Sequence, residues 1–323
     1  MTTLADDTGL ASRSRLGAGL GLAVVSAASF GLSGTLAKGL LDAGWSAGAA
    51  VTVRVSIAAL VLMVPALVML RGRWHLLHQN VAVIAGYGLV AVAGCQLAYF
   101  NAVAHMQVGV ALLIEYTAPV AVLGWLWLRH AQRPSPVTVA GAGLAAVGLV
   151  LVLDLVSGAD LSAVGVAWAL AAMVGVAVYF VLSASETNGL PPMVLAGAGL
   201  TVGAVGLLVA GAVGVVPMAG STRAVTYDGT AVAWWVPLVG LGVVTAALAY
   251  VTGIGASRRL GSRLASFVAL LEVLFALVFA WLLLDELPRQ VQVLGGVLIL
   301  AGVVVVKLGE RRTTRVSAHP DGG

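Results

Sequence analysis

The sequence predicts an all-α membrane protein whose ten transmembrane helices form two inverted five-helix repeats. Three observations carry that expectation. Of 323 residues, 60% are hydrophobic and only 9% charged, and the mean hydropathy is +1.05; soluble domains carry about 25% charged residues. Apolar runs long enough to cross a bilayer, which takes roughly 20 residues each, recur ten times. The second half of the chain also repeats part of the first at a fixed offset.

The runs fall at 17–37, 48–70, 81–101, 108–128, 137–153, 164–184, 193–216, 232–253, 264–284 and 291–306. They are too long and unbroken for the alternating ten-residue strands of an outer-membrane barrel, so each is expected to be a helix. Between them lie short stretches with proline, glycine or charge, Arg71-Gly72-Arg73, Arg133-Pro134-Ser135-Pro136, Pro191-Pro192, Arg258-Arg259 and Asp285-Glu286-Leu287-Pro288, which read as loops. Residues 1–16 form a tail before the first span, and residues 308–323 read as a disordered basic tail against the anionic inner leaflet. The stretch 10–30 also has the charge and apolar run of a signal peptide, but its removal would delete the first span and break the repeat.

Charge sets the orientation. With the N-terminus inside, the cytoplasmic segments hold Arg13, Arg15, Arg71, Arg73, Arg129, Arg133, Arg258, Arg259, Arg263, Lys307, Arg311, Arg312 and Arg315. Only Lys38, Arg223 and Arg289 lie outside. The bias across short loops places both termini in the cytoplasm of a cell-membrane protein. It also explains the basic pI of about 9.6 without nucleic acid.

A shift of 154 residues aligns 109–152 with 263–306 without a gap. Identities include Trp127/Trp281, Pro134/Pro288, Gly141/Gly295 and Gly148/Gly302, and Leu97-Ala98-Tyr99 recurs as Leu248-Ala249-Tyr250. The two units are 17–155 and 161–307. Five helices per unit turn the second copy upside down relative to the first, an arrangement that places a substrate site near the midplane between halves and allows alternating access.

The stretch Leu-Leu-Glu-Val-Leu-Phe-Ala…Trp-Leu-Leu-Leu-Asp-Glu at 270–286 resembles the signature of the drug/metabolite transporter superfamily, EamA type, with Val273 where that family usually has proline. Ala-Leu-Leu-Ile-Glu-Tyr-Thr-Ala-Pro-Val at 111–120 is similar to the threonine/homoserine exporter branch. The resemblance implies ten helices in two repeats and secondary transport, commonly export, of small metabolites such as amino acids, amines or drugs. It fixes no substrate.

Only Arg54, Glu115 and Glu272 place charge well inside the spans. Each costs on the order of 2.5–3.5 kcal/mol at a helix centre unless it is paired or faces a polar cavity. Arg54 and Glu115 fall at matching depth, each about 12 Å below the outer end of its helix at 1.5 Å per residue. They are expected to face one another, either as a lock between the second and fourth spans or as a site for a zwitterion. Pro119 frees the Glu115 carbonyl of its helical bond, which also suits an ammonium. Glu272 has no obvious cationic partner in its half and is the proton-coupling candidate, because an ionised carboxylate without a partner is costly to bury; a buried, protonated glutamate bonded to a serine or tyrosine is the alternative. Gln96, Tyr99, Asn101, Tyr116 and Tyr250 are further substrate-binding candidates, with Tyr179, Thr245 and Ser266 as softer ones, although helix-to-helix hydrogen bonding also explains such residues.

Cys95 is the sole cysteine, and the His75/His78 spacing lacks further ligands, so no metal site or cofactor is expected. No Walker A sequence is present, which removes ATP as a direct energy source. The expected partners are a small-molecule substrate and the lipid bilayer. An intramembrane enzyme would want clustered aspartates, whereas Asp154 and Asp160 stand apart; that reading and a non-transporting scaffold remain the alternatives.

Overall fold

The computed structural model describes residues 3–105, 114–130, 134–152, 162–187, 189–284 and 290–317. Its helices are α1 (Thr3–Asp42), α2 (Ala47–Leu70), α3 (His75–Gln79), α4 (Val81–Gly86), α5 (Cys95–His105), α6 (Ala118–His130), α7 (Pro136–Val152), α8 (Ala163–Ala184), α9 (Pro192–Ala212), α10 (Trp235–Gly242), α11 (Ala249–Val268), α12 (Leu271–Leu284) and α13 (Gln290–Ser317). Among the described residues, six helical stretches are long and apolar enough to cross a bilayer, and four shorter apolar helices accompany them. The short ones include Ala118–Arg129 and Leu271–Leu283, parts of the predicted runs 108–128 and 264–284. Residues 106–113, where the first of these runs begins, lie outside the described residues, as do Asp154, Asp160 and the loop Asp285-Glu286-Leu287-Pro288.

The outer surface is as oily as the interior. Leu128 is 85% exposed, and Leu60, Val64, Val205 and Val297 are all more than half exposed, while Leu195, Leu200, Leu207 and Ile254 are fully buried. Apolar faces of that extent on a monomer require a solvent other than water.

Contacts between helices exchange the two halves. α2 packs on α9 and α7 packs on α13, so equivalent helices of the two units meet directly. α1 lies against α11 and α12 of the second unit, and α8 lies against α5 and α6 of the first. The repeated glycines form the closest of these seams. A Cβ on Gly148 would lie 2.6 Å from the Gly295 carbonyl oxygen, and one on Gly302 would lie 2.8 Å from the Gly141 carbonyl oxygen. The four repeated glycines thus meet crosswise between α7 and α13, Gly148 against Gly295 and Gly141 against Gly302, where small side chains let backbones approach.

Both units also interrupt their helices at related places. A π-helical stretch joins α4 to α5 (Tyr87–Gly94), and another joins α10 to α11 (Val243–Leu248). The backbone breaks again at Tyr116-Thr117 before α6 and at Ala269-Leu270 before α12. Thr117 and Val120 in the first break, and Leu270, Glu272 and Val273 in the second, donate their N–H groups only three residues back. Under the 154-residue shift the two breaks coincide to within one residue.

Four details differ from the sequence expectation, the first being that Arg258-Arg259, expected as a loop, lies inside α11, whose backbone breaks only at Gly261. The fold is nearly, not wholly, helical: β1 (Val225–Tyr227) and β2 (Thr230–Val232) pair antiparallel about Asp228-Gly229. Both turn residues have positive φ, the geometry of a two-residue primed turn, and Asp-Gly supplies it. The hairpin seals one end of the bundle: Tyr227 donates to the Leu36 carbonyl at 2.8 Å, and Trp45 stacks on Trp234 and donates to the Ser221 carbonyl. Burial pushes the Tyr227 hydroxyl up to about 12, so it remains a donor at physiological pH. The other two differences are at the ends, where α1 begins at Thr3 and α13 continues to Ser317. Extending an existing helix adds one bond per ordered residue, so polar tails prolong it at little cost.

Candidate functional site

A cavity of about 120 Å³ lies at the centre of the bundle and draws on both halves. α1 supplies Ser26 and Phe30; the first unit adds Cys95, Gln96, Glu115, Tyr116 and Pro119. From the second unit come Tyr179, Phe180, Tyr250, Ser257, Ser266 and Glu272.

The two helix breaks place the two carboxylates. Glu115 stands immediately before the Tyr116-Thr117 break and Glu272 two residues after Leu270, so both project from interrupted backbone into one space. They lie within electrostatic range of each other. Glu115 takes the Cys95 thiol at 3.9 Å, and Tyr116 of the first unit lies beside Glu272 of the second, close enough to interact electrostatically. Discontinuous helices at the midplane are how transporters present polar groups without exposing backbone to lipid.

Aromatic rings make the rest of the wall. Tyr250 packs edge-on against Phe30 at 5.3 Å and Tyr179 at 5.8 Å, and Tyr179 against Phe180 at 4.9 Å. Gly253 permits this, because a Cβ there would collide with the Tyr179 hydroxyl and lie 2.8 Å from Ser26 Oγ. The Tyr179 hydroxyl is buried and has no hydrogen-bond partner among the described residues. Gln96 and Tyr250 both face the cavity from the two helices that carry the Leu-Ala-Tyr repeat, near enough to influence one another.

Arg54 lies elsewhere than expected. It is buried at 6% exposure, does not line the cavity and makes no ion pair with Glu115. Its Nη2 donates to the Thr245 carbonyl at 2.7 Å, and its guanidinium sits 6.0 Å from the centre of the Phe30 ring. The cause is the helix pairing: α2 contacts α1 and the Val243–Leu248 π stretch, whereas Glu115 turns toward Cys95. Its electrostatic partners include Tyr250 and Glu272, so it acts on the cavity from behind. Arg54→Lys keeps the charge but not the planar fork that spans Thr245 and Phe30. It is expected to cost about 1–2 kcal/mol in thermal unfolding of the purified protein, the scale of one charged hydrogen bond, while ligand affinity at the cavity stays within about twofold.

The other candidates divide. Gln96, Tyr116, Tyr250, Glu115 and Glu272 line the cavity together with Tyr179 and Ser266. Asn101 does not, and spends its amide on the Leu97 carbonyl of its own helix at 2.8 Å. Tyr99 is outside the lining but within electrostatic range of both glutamates, and Thr245 bonds its own helix at Leu241. Sequence reasoning missed Ser26, Phe30, Cys95, Phe180 and Ser257, small or aromatic residues no different in type from lipid-facing neighbours.

The family model described as EamA-like transporter family matches residues 17–154 and 163–308, the two units of the repeat. No curated protein matches the chain. A protein of known crystal structure shares the fold with a TM-score of 0.72 over 91% of this chain and 98% of its own, at 21% identity. With both repeats matched and nearly the whole chain inside them, the chain belongs to the EamA-like transporter family.

Proposed function

We propose that the protein is a secondary exporter of small amine-bearing metabolites, amino acids among them, driven by the proton gradient across the cell membrane. Ten spans in two inverted five-helix units, with both termini in the cytoplasm, would exchange conformations around the central cavity. The observation that carries this reading is the pair of glutamates, one from each unit, projecting from equivalent helix breaks into a cavity walled by aromatic rings. A proton on one carboxylate removes negative charge that would help hold an ammonium at its neighbour, which couples the two, and aromatic faces favour a cation. Glu272 is the proposed coupling residue. Glu115, Gln96, Tyr116 and Tyr250 are proposed to bind substrate, and Arg54 to set the field behind them. Tyr99 and Asn101 are assigned to packing between helices. The stretch at 111–120 supports placing the chain near the threonine/homoserine exporters.

A cavity of about 120 Å³ is smaller than the roughly 300 Å³ at which drug-sized sites begin, which favours a compact substrate. The test is flux in proteoliposomes with an imposed pH gradient and a panel of amino acids and amines. Gradient-driven movement of at least one panel member is expected, and none across the panel would defeat the reading.

Topology is tested separately. Reporter fusions after residues 75, 132 and 260 are expected on the cytoplasmic side, and those after 105, 158 and 225 outside. The bundle end that gathers Arg15, Arg258 and Arg259 supports this sidedness, because cationic loops resist translocation. If the last three fusions also report cytoplasm, the inverted arrangement fails.

A further inference from the structure

At the end of the bundle opposite the hairpin, a vestibule of about 590 Å³ opens between α1 at Arg15, the described residues of the α8–α9 connection and the end of the helical part of α11 that precedes Gly261. It is lined by Arg15, Glu186, Pro191, Pro192, Arg258 and Arg259, together with Gly189 and Leu190. Three guanidinium groups thus surround one carboxylate, an excess of two positive charges in a bounded space.

The carboxylate does not satisfy them. Arg15 Nη2 takes Glu186 Oε1 at 2.8 Å and also reaches the Arg258 carbonyl at 3.3 Å. Arg259 Nη1 donates to the Gly255 carbonyl at 2.9 Å. Arg258 is half-buried and within electrostatic reach of Glu186, yet its Nε and Nη2 are buried with no hydrogen-bond partner among the described residues. A guanidinium in that condition lacks an acceptor, and a turn of the side chain into the vestibule would bring its planar fork of N–H groups to the oxygens of a phosphate. None of these residues belongs to the central cavity.

We propose that this vestibule is a second binding site, separate from the transport cavity, for a phosphate group held by Arg258 with Arg15 and Arg259. Glu186 is its internal competitor, occupying Arg15 when the phosphate is absent. The phosphate comes either from an anionic lipid headgroup reaching in from the leaflet or from a soluble phosphate, and the same guanidinium chemistry serves both.

The experiment uses the full chain in phosphatidylcholine nanodiscs, with thermal unfolding followed in two arms: added inorganic phosphate, and replacement of one fifth of the lipid by phosphatidylglycerol. The native protein is expected to be stabilised in at least one arm. A shift with inorganic phosphate assigns a soluble ligand, and a shift with phosphatidylglycerol alone assigns the lipid. Arg258→Gln is expected to weaken the response about tenfold in apparent affinity. Glu186→Gln, which removes the competing carboxylate, is expected to strengthen it severalfold even as the Arg15 ion pair is lost. No stabilisation of the native protein in either arm overturns the proposal. So does an undiminished response in Arg258→Gln. If Arg258→Gln does not fold, Glu186→Gln decides: weakened or unchanged binding there means the cluster is only a structural ion pair.

Discussion

Gly148→Val is expected to eliminate folded protein, whereas Gly143→Val, five residues earlier on α7, is expected to leave it intact. Even the first carbon of a side chain at Gly148 would stand 2.6 Å from the Gly295 carbonyl oxygen and 2.7 Å from the Ile299 amide nitrogen. These are backbone atoms of α13, which cannot turn aside as a side chain can, so the helices must part. Separation would forfeit the contacts of Gly141, Ala145, Gly302 and Val306 along the same seam. Overpacking costs about 1–3 kcal/mol where neighbours can adjust, and a seam closed by backbone on both sides should exceed that range. At Gly143 an added Cβ meets nothing within 4 Å. Helix propensity favours valine over glycine at both positions, so the contrast isolates packing from backbone entropy. Size-exclusion profiles of detergent-extracted fusions to a fluorescent reporter give the readout: a lost monodisperse peak for Gly148→Val and a retained one for Gly143→Val. Equal behaviour of the two variants would mean that the seam does not hold the halves together.

That seam also shows how far the sequence could be read. The matches Gly141/Gly295 and Gly148/Gly302 were visible as a repeat, because identity at a fixed offset needs only the string of residues. Their meeting across α7 and α13, Gly141 on Gly302 and Gly148 on Gly295, is a tertiary fact with no local signal. The helices followed from apolar run length, and Asp228-Gly229 between β-branched residues carried a hairpin signal that the search for spans passed over. The helix breaks were legible on one side only. Pro119 announces the first, but Ala269-Leu270 has neither proline nor glycine and breaks under packing alone. Both π stretches were likewise invisible, since an extra residue in a turn leaves hydropathy unchanged.

The same limits explain the site. Charge inside a span is rare enough to notice in a sequence, so Glu115, Glu272 and Arg54 stood out at once. Depth along a helix was also readable, but rotation about its axis was not. Equal depth therefore suggested an Arg54–Glu115 pair, whereas rotation sends Arg54 to the Thr245 carbonyl and the Phe30 ring. The side chain beside Glu272 comes from Tyr116, far away in sequence and in the other unit. Partners across a pseudo-symmetric interface are the ones that single-sequence reasoning is least able to supply.

Glu272→Gln is expected to abolish gradient-driven flux while sparing insertion, fold and passive exchange of substrate. Glutamine preserves the size of the side chain and keeps a polar end beside Tyr116, so the packing of α12 should stand. It cannot gain or lose a proton, and under the proposed mechanism that exchange makes the inward movement of protons pay for outward movement of substrate. An ionised carboxylate at this depth costs on the order of 2.5–3.5 kcal/mol unless compensated; coupling that relies on this cost should fall by roughly 100-fold, since 1.4 kcal/mol is about tenfold. Glu115→Gln provides the contrast. Glu115 faces the Cys95 thiol and not the Tyr116 hydroxyl, and its proposed task is to hold the ammonium group. Its loss is therefore expected to raise the substrate concentration needed for half-maximal flux about tenfold while flux remains dependent on the gradient. Counterflow separates the two variants: labelled substrate should exchange into loaded proteoliposomes without a pH gradient in Glu272→Gln, and only at raised concentration in Glu115→Gln. If Glu272→Gln still concentrates substrate along a pH gradient as the native protein does, proton coupling must reside at another residue. If both variants lose counterflow together, the two carboxylates act as one substrate site and the division of labour between the units is wrong.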